Sequence, residues 1–240
     1  MISLEKIVSL AKRRGFIYPG SEIYGGLAGT WDYGPLGIEL KNNIKKEFWK
    51  SMVYSRRDVV GIDAAILMNP KVWEASGHVA AFTDPLIECK ICHSRLRADL
   101  KEEIAQHEET HEGKKVLWTE PKKFNLLVEA KLGVVEDAKT KVYLRAEITQ
   151  GVHVNFKNVL DSTRQSIPFG IAQIGKAFRN EITPGNFTFR SREFEQMELQ
   201  FYVKPEEKES YKWYEYWKAE RMKWYLSLGL DKKKLRFRQH

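Results

Sequence analysis

Arginine, an aromatic ring and carboxylates recur at alternate positions late in this sequence, and that combination could handle a nucleotide. In FTFRSREFEQMELQFYV at 187–203, an extended chain sets Arg190, Arg192, Phe194, Gln196, Glu198 and Gln200 on one side. Met197, Leu199, Phe201 and Val203 fall on the other. The preceding stretch AQIGKAFRNEI gives Arg179 and Glu181 a common face. KVYLRAEIT at 141–149 alternates Tyr143, Arg145, Glu147 and Thr149 with Val142, Leu144, Ala146 and Ile148. Such alternation makes one sheet face packed and the other polar. A solvated outer face is the common meaning of the pattern, but solvated faces mix lysine, glutamate and threonine. Here three arginines, a ring and carboxylates alternate in fixed order. The planar guanidinium fork suits bidentate phosphate binding, a flat ring gives a base something to stack on, and carboxylates hold a cation. A nucleotide plus an ammonium-bearing substrate would require that set.

A second constellation is metal-like. Cys89-x-x-Cys92, fourteen residues, then His107-x-x-x-His111 has the form of a structural zinc site, with His93 as an alternative ligand. The competing reading is a metal-free surface helix, since EEIAQHEETHEG is a solvated charge run.

The elements that must position these groups are legible in outline. Residues 3–14 read as an amphipathic helix with Leu4, Ile7, Val8 and Ala11 on one face. The passage at 20–37 has too many glycines for helix or strand, and none of the spacings of a phosphate loop. Pro35 opens a strong helix with Leu36, Leu40, Ile44, Phe48 and Met52 at steps of four. VVGIDAAILM at 59–68 reads as a buried strand. The charged 85–122 stretch reads as an insertion, 123–203 as strands and turns with ITPGNF closing a hairpin, and 206–228 as a long aromatic helix after Pro205. Three parts follow: 1–84, the 85–122 insertion, and 123–240.

Composition sets the bounds. The 240 residues are 42% hydrophobic, which excludes fibrous and disordered classes. A net charge of +8 and a pI near 9.3 favour polyanionic partners. Two cysteines are too few for a disulfide scaffold and fit a reducing compartment. Charges inside the N-terminal apolar stretch argue against a signal peptide, and no run approaches ~18 uncharged apolar residues. The expectation is a cytoplasmic protein with no membrane partner.

Phe178-Arg179-Asn180-Glu181, a short loop, then Arg190-x-x-x-Phe194 resembles motif 2 of the class II aminoacyl-tRNA synthetases, and 31–52 resembles their motif 1. More narrowly, YGPLGIELKNNI, RLRADL, TEPKKFNLL, LRAEITQGVHVNFKNVL, PFGIAQIGKAFRNEITPGNF and FRSREFEQMELQF are together similar to the dimeric glycyl-tRNA synthetases. The resemblance implies an α/β chain of α+β type, an antiparallel sheet flanked by helices, incomplete, with a small insertion. It implies ATP and Mg²⁺ as cofactors, structural Zn²⁺ if the insertion binds metal, and glycine and tRNA(Gly) as partners. A homodimer through the motif 1 region is also implied.

It assigns Arg179 to the ATP α-phosphate, as the catalytic residue, and Glu181 to the adenine amino group. Arg190 would take the terminal phosphates and Phe194 would lie under the adenine, with Asn180, Phe189, Ser191, Arg192 and Glu193 completing the ATP site. Glu147 and Glu198 would hold the glycine ammonium, in a site shared with Arg97, Phe194, Glu195, Gln196 and Met197. For Arg97 an ion pair with Asp99 or a nearby glutamate is the alternative.

Two departures matter. Many relatives carry a second C-x-x-C before the TEP string, where this chain has HEETHEGKK, so a Cys2His2 set would replace four cysteines. Nothing after 203 resembles motif 3, whose arginine clamps the γ-phosphate, and the anticodon-binding domain is also missing. The expectation is the N-terminal half of a synthetase, weakly active on its own; a non-catalytic remnant that binds RNA or a partner subunit is the alternative.

Overall fold

The computed structural model describes residues 2–133 and 141–238, so the strand-and-turn reading of 123–203 lies outside the described residues over 134–140. Helix α1 (Leu4–Arg13) begins where the Ser3 hydroxyl accepts from the Lys6 amide, a side-chain cap for an otherwise orphan donor. Strand β1 (Ile17–Pro19) pairs antiparallel with β2 (Trp31–Tyr33) across the glycine-rich passage. Pro35 then sits in the first turn of α2 (Pro35–Trp49), where a missing N–H costs nothing. The helix widens into a π turn over Lys50–Tyr54 and delivers Phe48 and Met52 to the core.

After strand β3 (Val59–Gly61) come two short helices, α3 (Pro70–Ala75) and α4 (His78–Ala81). The stretch expected as an insertion builds on β4 (Thr83–Glu88), which pairs antiparallel with β5 (Arg95–Arg97) on one side and β6 (Lys122–Asn125) on the other. Helix α5 (Lys101–Glu109) lies in the β5–β6 connection. Strands β7 (Val128–Lys131) and β8 (Lys141–Leu144) form an antiparallel pair, and α6 (Thr149–Val154) and α7 (Phe156–Thr163) follow. The central sheet is β10-β9-β3. Strand β9 (Phe169–Phe178) pairs residue for residue with β10 (Glu193–Tyr202) in the expected hairpin, and β3 joins β9 in parallel. Helix α8 (Glu207–Ser227) follows, within a residue of its expected ends, and a 3₁₀ turn at Lys232–Lys234 comes after it.

Both faces of the central sheet carry apolar cover. Phe48, Met52, Val59, Ala172 and Trp224 form one cluster, with Met197, Leu199 and Phe201 packed against it from the apolar side of β10. Val152, Val159, Phe169 and Ile171 form another under α6 and α7. Each fully buried large side chain contributes on the order of 1.5–3 kcal/mol, so these clusters fix the register of the strands that carry the site.

Three expectations about strand extent fail for a common reason. The 59–68 strand ends at Gly61, because the Ala64 amide donates to the Gln173 side chain at 3.2 Å and the Ala64 carbonyl accepts from Arg145 at 2.7 Å. Strand β8 stops at Leu144, and Arg145, expected on a polar face, turns inward with only 2% of its surface exposed. Its Nε donates to the Lys176 carbonyl at 2.6 Å, and burial lowers its pKa. Tyr143 is likewise buried, beside Trp73 and Leu127. Residues 187–189 form a 3₁₀ turn, so Arg190 and Arg192 precede strand β10 rather than lying on it. Side-chain to main-chain hydrogen bonds have replaced ladder bonds at each place.

Candidate functional site

The polar face of β9–β10 gathers most of the expected residues. From β10 it presents Phe194, Gln196 and Glu198, and the segment 145–149 is laid along it by a series of bonds. Arg179 Nε donates to the Ala146 carbonyl at 3.3 Å, the Ile148 amide to Gln196 Oε1 at 3.1 Å, and Thr149 Oγ1 to Glu198 Oε2 at 2.6 Å. The Arg179 guanidinium lies 5.2 Å from the Phe194 ring centre and 5.4 Å from that of Phe82, an arrangement in which cation–π attraction orders the fork before any ligand arrives. Glu147, on the crossing segment, accepts from Gln150 Nε2 at 2.8 Å and stands 3.6 Å from His78 Nε2. Glu198 Oε1 accepts from Gln200 at 3.0 Å. Side-chain donors from Gln150, Thr149 and Gln200 thus orient the two carboxylates.

A second group adjoins the hairpin end. Arg190 Nε donates to Glu181 at 2.8 Å, and its other nitrogen is 3.7 Å from Asp84. Arg97 grips Asp99 with two hydrogen bonds, at 3.0 and 2.7 Å, and also pairs with Asp84 at 2.8 Å. The alternative expected for Arg97 is therefore present, and the same arginine is tied to Arg190 through Asp84. Burial lifts the Asp84 carboxyl above its ordinary value despite the pull of Arg97 and Arg190. The Asp99 hydrogen bonds hold the Arg97 guanidinium above its own ordinary value, and the same bonds hold Asp99 low.

Other expected residues are placed elsewhere. The Glu195 and Met197 side chains project to the opposite side of β10 from Phe194, Gln196 and Glu198. Burial alone would raise the Glu195 carboxyl, but Lys41 at 2.6 Å and Lys45 at 3.3 Å outweigh it and hold it low. Met197 packs on the α2–α8 core. The Glu193 carboxylate pairs with Lys176. Arg192 is spent on main-chain carbonyls, those of Glu181 and Ala28, and its amide bonds Gly29. Gly29 has φ +75° and lies so close to Pro184 that no side chain would fit, so the glycine-rich loop packs on the hairpin turn. Ser191 is buried against the Thr188 carbonyl, Phe189 is 81% exposed, and the Asn180 amide donates to Leu126 O at 2.8 Å. The residues that sequence reasoning missed are Asp84, Phe82 and His78. No spacing marks them, since they reach the site from separate elements.

A cavity of about 560 Å³ lies on the α1–α2 side, lined by Ile7, Leu10, Leu40, Met197 and Phe187, and Phe194, at the start of β10, borders both it and the polar face. Its lining is mostly apolar, unlike the charged face across the sheet. The third constellation is at the β4–β5 turn, where Cys89, Cys92, His107 and His111 bring one ligand atom each within 4.8 Å of one another. A bond with the Ser94 hydroxyl at 3.1 Å pulls the Cys92 thiol down to about 6.

Residues 130–240 match the family model of the tRNA synthetase class II core domain (G, H, P, S and T). The fold agrees with a solved structure, the RNA binding domain of threonyl-tRNA synthetase from Cryptosporidium parvum Iowa II. The TM-score is 0.51 at 18% identity, over 82% of this chain and 36% of that one. Residues 130–240 thus carry a stretch similar to the class II tRNA synthetase core.

The curated relatives this chain is similar to are glycine–tRNA ligases. It is 55% identical to the glycine–tRNA ligase of Alkaliphilus oremlandii, over 99% of this chain and 56% of that protein. It is 51% identical to that of Thermobifida fusca (99% and 54%) and 53% identical to that of Borreliella burgdorferi (100% and 53%). The chain therefore spans about half the length of the relatives it matches. Among the described residues, no helix is long and apolar enough to cross a membrane.

Proposed function

We propose that this chain carries the adenylate-forming part of a glycine–tRNA ligase, a cytoplasmic enzyme of translation. The carrying observation is that Arg179, Phe194, Glu147 and Glu198 meet on one sheet face under the 145–149 crossing. In this reading ATP enters with Mg²⁺ as its companion ion, held mainly through the phosphates as that ion prefers. Phe194 carries the adenine, Glu181 accepts from its amino group, and Arg179 grips the α-phosphate. Arg190 faces the terminal phosphates once it gives up part of its bond to Glu181. Glu147 and Glu198 take the glycine ammonium by charge-assisted hydrogen bonds.

The glycine carboxylate attacks the α-phosphorus and pyrophosphate departs, leaving glycyl-adenylate; a ribose hydroxyl of tRNA(Gly) then displaces AMP. Both acceptors bring their own nucleophiles. The protein has only to align reactants and stabilise phosphoryl charge. Selectivity comes from exclusion, since a pocket closed over the α-carbon leaves no room for a β-carbon. The α2 region, with Leu36, Ile38 and Leu40 exposed, supports a homodimer through motif 1. Glycine-dependent exchange of pyrophosphate into ATP tests the reading in the enzyme that contains this chain. Glu147→Ala and Glu198→Ala should abolish exchange and leave ATP binding nearly intact; exchange within tenfold of wild type in both would overturn the assignment.

A further inference from the structure

Helix α5 poses a physical problem. It is nine residues long and none of them is buried. Isolated helices shorter than ~12–15 residues are marginal in water, so something other than apolar packing must hold it to the β4–β5 hairpin.

The contacts at its C-terminal end show what does. His107 Nε2 lies 3.4 Å from Cys92 Sγ, His111 Nε2 lies 3.6 Å from Cys89 Sγ, and the two Nε2 atoms are 3.1 Å apart. Zn–S bonds of ~2.3 Å and Zn–N bonds of ~2.0–2.1 Å set tetrahedral edges of roughly 3.3–3.8 Å. These three separations fall close to those edges, and all four ligand atoms lie within 4.8 Å of one another. The hairpin turn is shaped for the same purpose. The Ile91 amide donates to Cys89 Sγ at 3.4 Å, and His93 takes φ +60° in the same turn. The His93 ring is engaged with Glu88 at 3.0 Å, which removes it as a ligand. Trp118 covers the outer side, its ring 5.3 Å from His107 and its indole N–H on Glu108 at 2.9 Å.

We propose that Cys89, Cys92, His107 and His111 bind one zinc ion as a closed Cys2His2 site that clasps α5 onto the β4–β5 hairpin. Two thiolates and two imidazoles in a tetrahedral arrangement select zinc over the oxygen-seeking ions. The clasp has a consequence that rests on the reading of the neighbouring site. Strand β5 holds Arg97 against Asp84, and Glu103 of α5 accepts from Thr183 of the β9–β10 loop at 3.5 Å. The metal therefore fixes two supports of the motif 2 loop.

Metal analysis of the chain purified without chelator tests the site independently of any ligase activity. About one zinc per chain is expected, with cobalt giving the tetrahedral thiolate spectrum. Cys92→Ser and His111→Ala should each lower the zinc content, and His93→Ala should not. Chelating the wild-type chain should open a proteolytic site between residues 98 and 117, and added zinc should close it again. This arm stands even if a variant folds poorly. Zinc below ~0.2 equivalent with a six-coordinate cobalt spectrum, or zinc retained by both ligand variants, would overturn the proposal.

Discussion

The two three-stranded sheets of this molecule are held by different forces. In β10-β9-β3 the hairpin strands pair over ten residues each, with apolar clusters on both faces. In β5-β4-β6 the pairings run for three and four residues, and Ile87 and Cys89 are the buried apolar side chains of the hairpin. Its cohesion comes from polar convergence: Arg95 on Glu88, Arg97 on Asp84 and Asp99, and four ligand atoms around one point. Apolar burial is indifferent to metal and to moderate pH, so it suits a platform that must present Arg179 and Glu198 without adjustment. Polar convergence is conditional, so the smaller sheet can be loosened while the larger one stands.

Four changes would sharpen or break that contrast. The largest effect is expected from Phe48→Ala, which empties a fully buried site against Trp224. It should cost ~3–5 kcal/mol in urea unfolding and leave the zinc content of the folded fraction unchanged. A loss below ~1 kcal/mol would mean that the core does not carry the larger sheet. Next is Glu198→Ala, where a bound ammonium short of a partner should weaken glycine recognition by ~2–5 kcal/mol without moving the urea midpoint by much.

Zinc removal should act in the reverse sense. Amide exchange in α5 and the 89–94 turn should quicken severalfold, while β9 and β10 keep their protection. Equal deprotection of both sheets would refute their independence. The smallest effect concerns Glu195. Its carboxyl is held below the ordinary 4.5 by the two lysines, so its contribution is complete above that value and lost as the pH falls through the lower folded-state value. Glu195→Gln should flatten the acid limb of the stability curve by under ~1 kcal/mol, the usual scale for partly exposed pairs. An unchanged acid limb would show that Lys41 and Lys45 do not stabilise the fold through it.

The same contrast explains what the sequence made legible. The period-two alternation of Phe194, Gln196 and Glu198 against Met197, Leu199 and Phe201 specifies β10, because one side had to meet α2 and α8. The steps of four from Leu36 to Met52 specify α2, although only the far end, Phe48 and Met52, is buried in the core and Leu36 and Leu40 stay exposed. What stayed hidden depends on single polar groups finding distant partners. Arg145 alternates perfectly in sequence yet turns inward, because the Lys176 and Ala64 carbonyls lie in wait. Asp84 has no pattern around it, and becomes central only because Arg97 and Arg190 reach it from opposite sides of the chain. Glu195 shares a motif with Phe194 and Glu198, but the alternation that makes the strand sends it across the sheet.

The central claim is that the β9–β10 face binds glycyl-adenylate. Calorimetric titration of this chain with an unreactive sulfamoyl analogue of glycyl-adenylate, set beside the alanyl analogue, tests it most directly. The account expects one saturable site for the glycyl form, affinity reduced at least tenfold for the alanyl form, and binding lost in Arg179→Ala. Equal affinity for the two analogues, or glycyl binding undiminished by Arg179→Ala, would contradict it.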